Sequence, residues 1–129
     1  MAFMPSLCWP EVLEINREQV IAAARQFGVR DAADLESEEG EQMRRQLHLV
    51  GMMSPGDPPI YVHNNQRGGP PQGVAQMAHH PNHARVLKQR AEQLGVVAVA
   101  NAPQIGIVDD SGETLVSFLL RHLQVEAND

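Results

Sequence analysis

Three of the chain's six histidines, His79, His80 and His83, crowd together, and imidazole is the side chain best suited to proton and metal chemistry near neutral pH. Two imidazoles four residues apart can share an ion when both lie on one helical turn, so His79 and His83 are the candidate metal ligands. Pro81 works against this. It disfavours helix at His80, and no carboxylate stands nearby in sequence to complete a tetrahedral set. The plainer reading is polar packing and capping at a helix start, with anion contact at that helix N-terminus as the functional version. No metal and no cofactor is therefore assigned.

Other reactive residues give less. Cys8 is the only cysteine. One thiol makes neither an internal disulfide nor a thiolate cluster, and no base neighbours it, so it reads as a structural thiol. Asp109 and Asp110 are adjacent carboxylates that suit a solvated turn before a helix. Met43, Met52 and Met53 read as core filling rather than a soft binding surface. The glycines at 68, 69 and 73 follow neither G-x-G-x-x-G nor a phosphate loop ending in Lys-Ser/Thr. Asn64, Asn65, Arg67 and His80 remain as candidate loop or pocket residues, because they flank a long polar segment over 64–78. A loop of that length is uncommon and often functional.

The elements that would position these residues follow from periodicity. Asn16 with Gln19 forms a capping-box pattern, and Val20, Ile21, Ala24 and Phe27 share one helical face that Gly28 ends. Asp31 and Ser37 are further cap candidates. Met43, Leu47 and Val50 continue a second helix, with Gly40 weakening its first turn. Trp9 and Leu13 anchor the irregular start. After the turn-forming run Ser54–Pro59 comes a short apolar strand, Ile60–His63. Pro81 opens a helix carrying His83, Val86, Leu87, Arg90, Ala91 and Leu94 on helical spacing, which Gly95 ends. Val96–Ala100 is the second strand. Ser111 is the expected cap of a last helix with Leu115, Phe118, Leu119 and His122 on one face. The spacing divides the chain into a helical segment over 1–56, a β-α-β-α unit over 57–125 with parallel strands and a right-handed crossover, and a tail over 126–129. Both strands are apolar throughout, as in a sheet covered on both faces. Two strands alone do not make such a sheet.

Composition narrows the partners. Apolar residues make up 43% of the 129 and aromatics 4%, so the core must be aliphatic. The formal net charge of −6 speaks against nucleic acid and against an anionic membrane. Ten of the 16 carboxylates fall in residues 1–57, as a solvated acidic face would place them. No stretch approaches the roughly 20 apolar residues of a membrane span. The first ten residues lack the form of a secretory signal, so the default reading is cytoplasmic.

Residues 57–123 resemble the C-terminal end of an α/β-hydrolase, in the esterase/lipase branch with dienelactone-hydrolase-like and carboxylesterase-like proteins. The likeness rests on Asp57-Pro-Pro-Ile-Tyr-Val-His63, on Asn82 to Val96 with its closing Leu-Gly-Val, on Val97-Ala-Val-Ala100, and on Glu113 to Leu123 with its Phe-Leu-Leu-Arg-His-Leu. It implies an α/β class: a partial α/β-hydrolase fold, with a helical N-terminal half followed by the parallel β-α-β-α unit. It also implies hydrolysis of a carboxylic ester, with a small ester as substrate if a complete protein is active. The catalytic residues do not carry over. Arg67 stands where the family acid would be and Ile105 where its His would be. Arg67 cannot hold an imidazole in the required tautomer, and Ile105 cannot accept a proton. The G-x-S-x-G nucleophile elbow is absent. Catalysis by this chain alone is therefore not expected. The alternatives are a non-catalytic interaction or scaffold domain, a homo-oligomer or part of a larger hydrolase-like chain, and a truncated gene product.

Overall fold

The computed structural model describes residues 15–123. Cys8, Trp9, Leu13 and the tail lie outside that range. The N-terminal half is built from short helices with locally encoded ends. Helix α1 (Arg17–Ala24) begins on the full capping box: Asn16 Oδ1 accepts from the Gln19 N–H at 3.0 Å, and Gln19 Oε1 accepts from the Asn16 N–H at 3.0 Å. Two orphan donors of the first turn are thereby satisfied. A 3-10 turn, Arg25–Phe27, then tightens the chain before Gly28 at φ 88°. That tightening swings Phe27 off the apolar face, leaving it 38% exposed instead of packed beside Val20 and Ala24.

Asp31 and Ser37 cap α2 (Ala32–Glu36) and α3 (Glu38–Leu47) through side-chain bonds to the Asp34 and Gly40 amides. A Cβ at Gly40 would stand 2.2 Å from the Asp34 carbonyl oxygen. Glycine is needed there so that the two helices can meet at their joint. Its cost to helix propensity is secondary. α3 carries Glu38, Glu39 and Glu41 in its first turn and Arg44 and Arg45 in its last, matching the helix dipole at both ends. It breaks at His48, short of Val50, and α4 (Leu49–Met52) takes over.

The second half runs β1 (Ile60–His63), α5 (Val74–Ala78), α6 (Asn82–Leu94), β2 (Ala98–Asn101), a 3-10 turn (Pro103–Ile105) and α7 (Leu115–His122). β1 and β2 pair in parallel, with Ile60 opposite Ala98 and His63 opposite Asn101. Side chains alternate across a strand. Ile60 and Ala98 thus pack with Leu87, Ala91 and Leu94 of α6, around Met53 and Val96. Tyr61 points to the other face, where its ring lies 5.4 Å from Phe118 of α7. A separate cluster serves the first half: Ile15, Val20, Ala23, Ala24, Val29 and Leu35, joined by Met77 of α5.

Several expectations need correction. Helix covers 54% of the described residues, against two strands of four residues each. The expected partial α/β-hydrolase fold does not form. Among the described residues only two apolar runs form strands, so they hold no extended sheet for helices to flank. The segment 64–78 is not all loop, since Val74, Met77 and Ala78 at i, i+3, i+4 form α5. The second strand starts at Ala98 rather than Val96, because pairing begins where the Ile60 N–H meets the Val97 carbonyl at 2.9 Å. Thr114 and not Ser111 caps α7, in a capping box with Ser117. Ser111 is held instead in a turn by the Asp109 carboxylate.

Candidate binding groove

Each strand of a two-stranded sheet has one unpaired edge, and the two edges here differ. In a parallel pair, alternate residues turn their backbone groups toward the partner. Ile60 gives its N–H to the Val97 carbonyl and Asn64 gives its own to Asn101, at 2.9 and 2.8 Å. Tyr61 and His63 therefore turn their N–H and C=O groups outward. The outer edge of β2 is stopped at its end by Ala102 and Ile107, which exchange bonds of 2.8 and 3.2 Å in an antiparallel bridge. Asp109 adds a bond from its N–H to Asn101 Oδ1 at 2.8 Å. Short of that bridge Ala98 and Ala100 face outward, and the outer edge of β1 likewise has no strand partner among the described residues; it is the β1 edge that borders a groove.

A groove of about 580 Å³ runs along that edge. Every residue from Asp57 to Asn64 lines it without a break. Since successive side chains point to opposite faces, a cavity that touches all of them lies beside the strand rather than on one face. Its far wall is Leu49 and Met53 from the end of the helical half, with Ala78, His79, His83 and Leu87 from α5 and α6. His83 and Leu87 are one α-helical turn apart and so fall on one stripe of α6. The floor is apolar, because Met53, Ile60 and Leu87 belong to the second core cluster. The two mouths differ. Asp57 stands at one, its carboxylate already accepting from the Ser54 N–H and hydroxyl at 2.9 Å each. At the other stand His63 and His79, both exposed.

The histidines divide by role. His80 is 5% exposed. Its Nε2–H donates to the Gly69 carbonyl at 2.8 Å and its Nδ1 accepts from the Asn82 N–H at 3.1 Å. Both ring nitrogens are committed, so His80 fixes the 64–78 segment onto the start of α6, whose N-cap is Pro81 with no side-chain cap of its own. His83 donates Nε2–H to the Met77 carbonyl at 2.8 Å. Burial pushes its pKa below the ordinary value, and the neighbouring His80 and His79 push the same way. Neutral imidazole is the working form, with Nδ1 left as an acceptor. Among the described residues no three His, Cys, Asp or Glu side chains converge on one point.

The remaining sequence candidates lie close by. Asn64 makes a local turn, accepting from the Gln66 N–H at 2.8 Å, and ties the strand end to the helix by donating to the His79 carbonyl at 2.9 Å. Asn65, Arg67, His79 and His80 line a second cavity of about 690 Å³, less apolar than the groove, that shares His79 with it. Ile105 is reached from the same loop: a Cβ at Gly68 would sit 2.6 Å from Ile105 Cγ2. The Arg67 and Ile105 segments are thus neighbours, with Arg85 donating to the Ile105 carbonyl at 3.2 Å. Sequence reasoning missed the apolar wall of Leu49, Met53 and Leu87. Their helical spacing marks them only as buried, and nothing local distinguishes a groove wall from a core position.

No described helix is long and apolar enough to cross a membrane. A scan of protein-family models, a search of curated proteins and a search of solved structures each found no match to this chain.

Proposed function

We propose that this chain is a non-catalytic interaction domain that receives an extended polypeptide segment along β1. The observation that carries the reading is the unbroken Asp57–Asn64 lining of a groove beside an unpaired strand edge. An added strand would meet the outward N–H and C=O groups of Tyr61 and His63, while its alternate side chains would meet Leu49, Met53 and Leu87. Main-chain bonds give affinity in this mode and side-chain pockets give selectivity. Each main-chain bond contributes a net ~0.5–1.5 kcal/mol, so two to four of them with some apolar burial support a moderate, reversible complex.

The test uses a fluorescent peptide of alternating Val and Thr, titrated into the full chain by anisotropy. Saturable binding is expected, and N-methylation of the peptide backbone on its inward side should weaken it by about tenfold or more, ~1.4 kcal/mol for each factor of ten. Equal binding by the methylated peptide would remove main-chain pairing from the account.

Ester hydrolysis is the second reading. It draws on the sequence matches across 57–123 and on the placement of Gly68 against Ile105, which sets the loop after β1 beside the loop after β2. Arg67 and Ile105 at the acid and His positions weigh against it. Turnover of a short-chain acyl ester above the buffer rate, retained through purification to constant specific activity, would favour this reading over the first.

A further inference from the structure

The groove has one chemically distinct end, and the charge of the chain around it is unusual. Residues 58–91 hold Arg67, Arg85, Lys88 and Arg90 and no Asp or Glu at all. With −6 on the whole chain, four cations here leave −10 for the rest. One carboxylate from outside that stretch reaches the His63 end of the sheet: the Asp109 N–H bonds Asn101, opposite His63, while its carboxylate is turned to Ser111. Screening makes the cations nearest a bound anion act on it more than the distant net charge does.

The cations of this stretch are not equivalent. Lys88 pairs with Glu92 at 3.7 Å. Arg85 is spent on Asn82 and on the Ile105 carbonyl, and Arg90 on Gln93. Arg67 has no ion-pair partner among the described residues. It lines the second cavity, which shares His79 with the groove, and none of the residues lining that cavity is acidic. His63 stands at the same end of β1. At the opposite end stands the one carboxylate of the lining, Asp57, hydrogen-bonded by Ser54 and without a cationic partner among the described residues, so that end disfavours a second carboxylate. The groove therefore presents an apolar middle followed by a donor-rich end made of Arg67, His79 and His63.

We infer that the partner is an extended segment with apolar side chains at alternate positions and carboxylates at the end lying beside His63, His79 and Arg67. This rests on the strand-addition reading and specifies its ligand. A guanidinium with its donors uncommitted is suited to a carboxylate, in one or two parallel bonds. The selectivity comes from the partition of charge along the groove and not from overall attraction, since the chain as a whole repels acidic partners.

The experiment compares two alternating Val/Thr peptides that differ only in ending Glu-Glu or Gln-Gln, titrated into the full chain and into Arg67→Gln and His79→Gln. Amide hydrogen exchange at Tyr61 and His63 is followed in parallel. The Glu-ended peptide should bind about tenfold tighter than its Gln twin, a difference of ~1.4 kcal/mol. That ratio should fall toward one in Arg67→Gln and on raising salt, with both edge amides protected by either peptide. Equal affinities with both amides protected would overturn the acidic-partner inference and leave strand addition standing. Tighter binding of the Glu peptide without protection would overturn strand addition and this inference with it. So would self-association of the chain that occupies the edge and excludes peptide. Arg67 is exposed on a loop, and circular dichroism of its variant should be unchanged.

Discussion

The helical half and the strand half of this molecule differ in what their backbones leave unpaired. From Asn16 to Met53 the helix ends are largely met locally. Asn16, Asp31 and Ser37 cap α1, α2 and α3, and Gly28 closes the first turn. Arg30 clamps Asp34 through two side-chain bonds of 2.8 and 3.0 Å, which hold that carboxyl well below its usual range, at about 2. From Ile60 onward α6 and α7 are closed locally too, by Gly95 and by the Thr114–Ser117 capping box, but the sheet is not. β1 keeps one edge unpaired, and α7 leaves Leu115, Val116, Leu120 and Leu123 half or more exposed. The difference teaches where function should be sought. A segment whose helix ends are met locally serves as a scaffold, whereas an unpaired edge beside an apolar groove keeps backbone groups that an added strand can take over from water.

The two halves meet at Met77. Its side chain is 1% exposed and belongs to the helical core although it sits on α5 of the strand half. Met77→Ala should cost about 2–5 kcal/mol in chemical denaturation, as buried methionine truncations do. A single transition that moves as one by circular dichroism and by Tyr61 environment would show that scaffold and groove are one cooperative unit. A separate early transition would divide them.

A smaller effect should separate the two sides of β1. Val62 turns its N–H toward β2 and His63 turns its N–H outward. Val62→Pro should lose about 1–3 kcal/mol, the cost of a ladder bond whose buried acceptor is left unpaired. His63→Pro should be close to neutral for stability, because proline is tolerated on an edge facing away from the ladder, yet it should weaken strand addition by about tenfold. Equal destabilisation by the two would mean that the outer edge is already covered.

The smallest effect is a pH slope. Burial holds the His83 pKa below its ordinary 6.5 in the fold. The unfolded chain then takes up the proton first as pH falls. The stability associated with neutral His83 is complete above that ordinary value and is lost as pH drops through the lowered folded value. One such group contributes a slope of at most ~1.4 kcal/mol per pH unit. His83→Gln should flatten that part of the stability profile measured by urea denaturation between mildly acidic and neutral pH. An unchanged slope would assign it to other groups.

What could be read from the sequence follows the same division. The caps at Asn16, Asp31 and Ser37 were legible because a cap is a contract between residues three positions apart. Gly95 as a helix stop, with φ 70°, is legible for the same reason. α5 was hidden because it begins after Gly73 with no side-chain cap. The cap of α7 was misplaced because Thr114 pairs with Ser117 where a Glu or Gln is the usual signal. The partial hydrolase sheet was overturned because a resemblance in element order says nothing about how many strands are present to pair. The histidine cluster was legible as a helix-start device. Its extension into a groove was not, because Leu49, Met53 and β1 are brought to His83 and Leu87 only by tertiary packing.

If the outer edge of β1 is a docking site, amide hydrogen exchange at Tyr61 and His63 will report it. In the free chain both amides should exchange far faster than those of Val62 and Asn64, and saturating alternating peptide should slow them to the rate of their neighbours. Slow exchange at Tyr61 and His63 before any peptide is added, or fast exchange that peptide leaves unchanged, would contradict it.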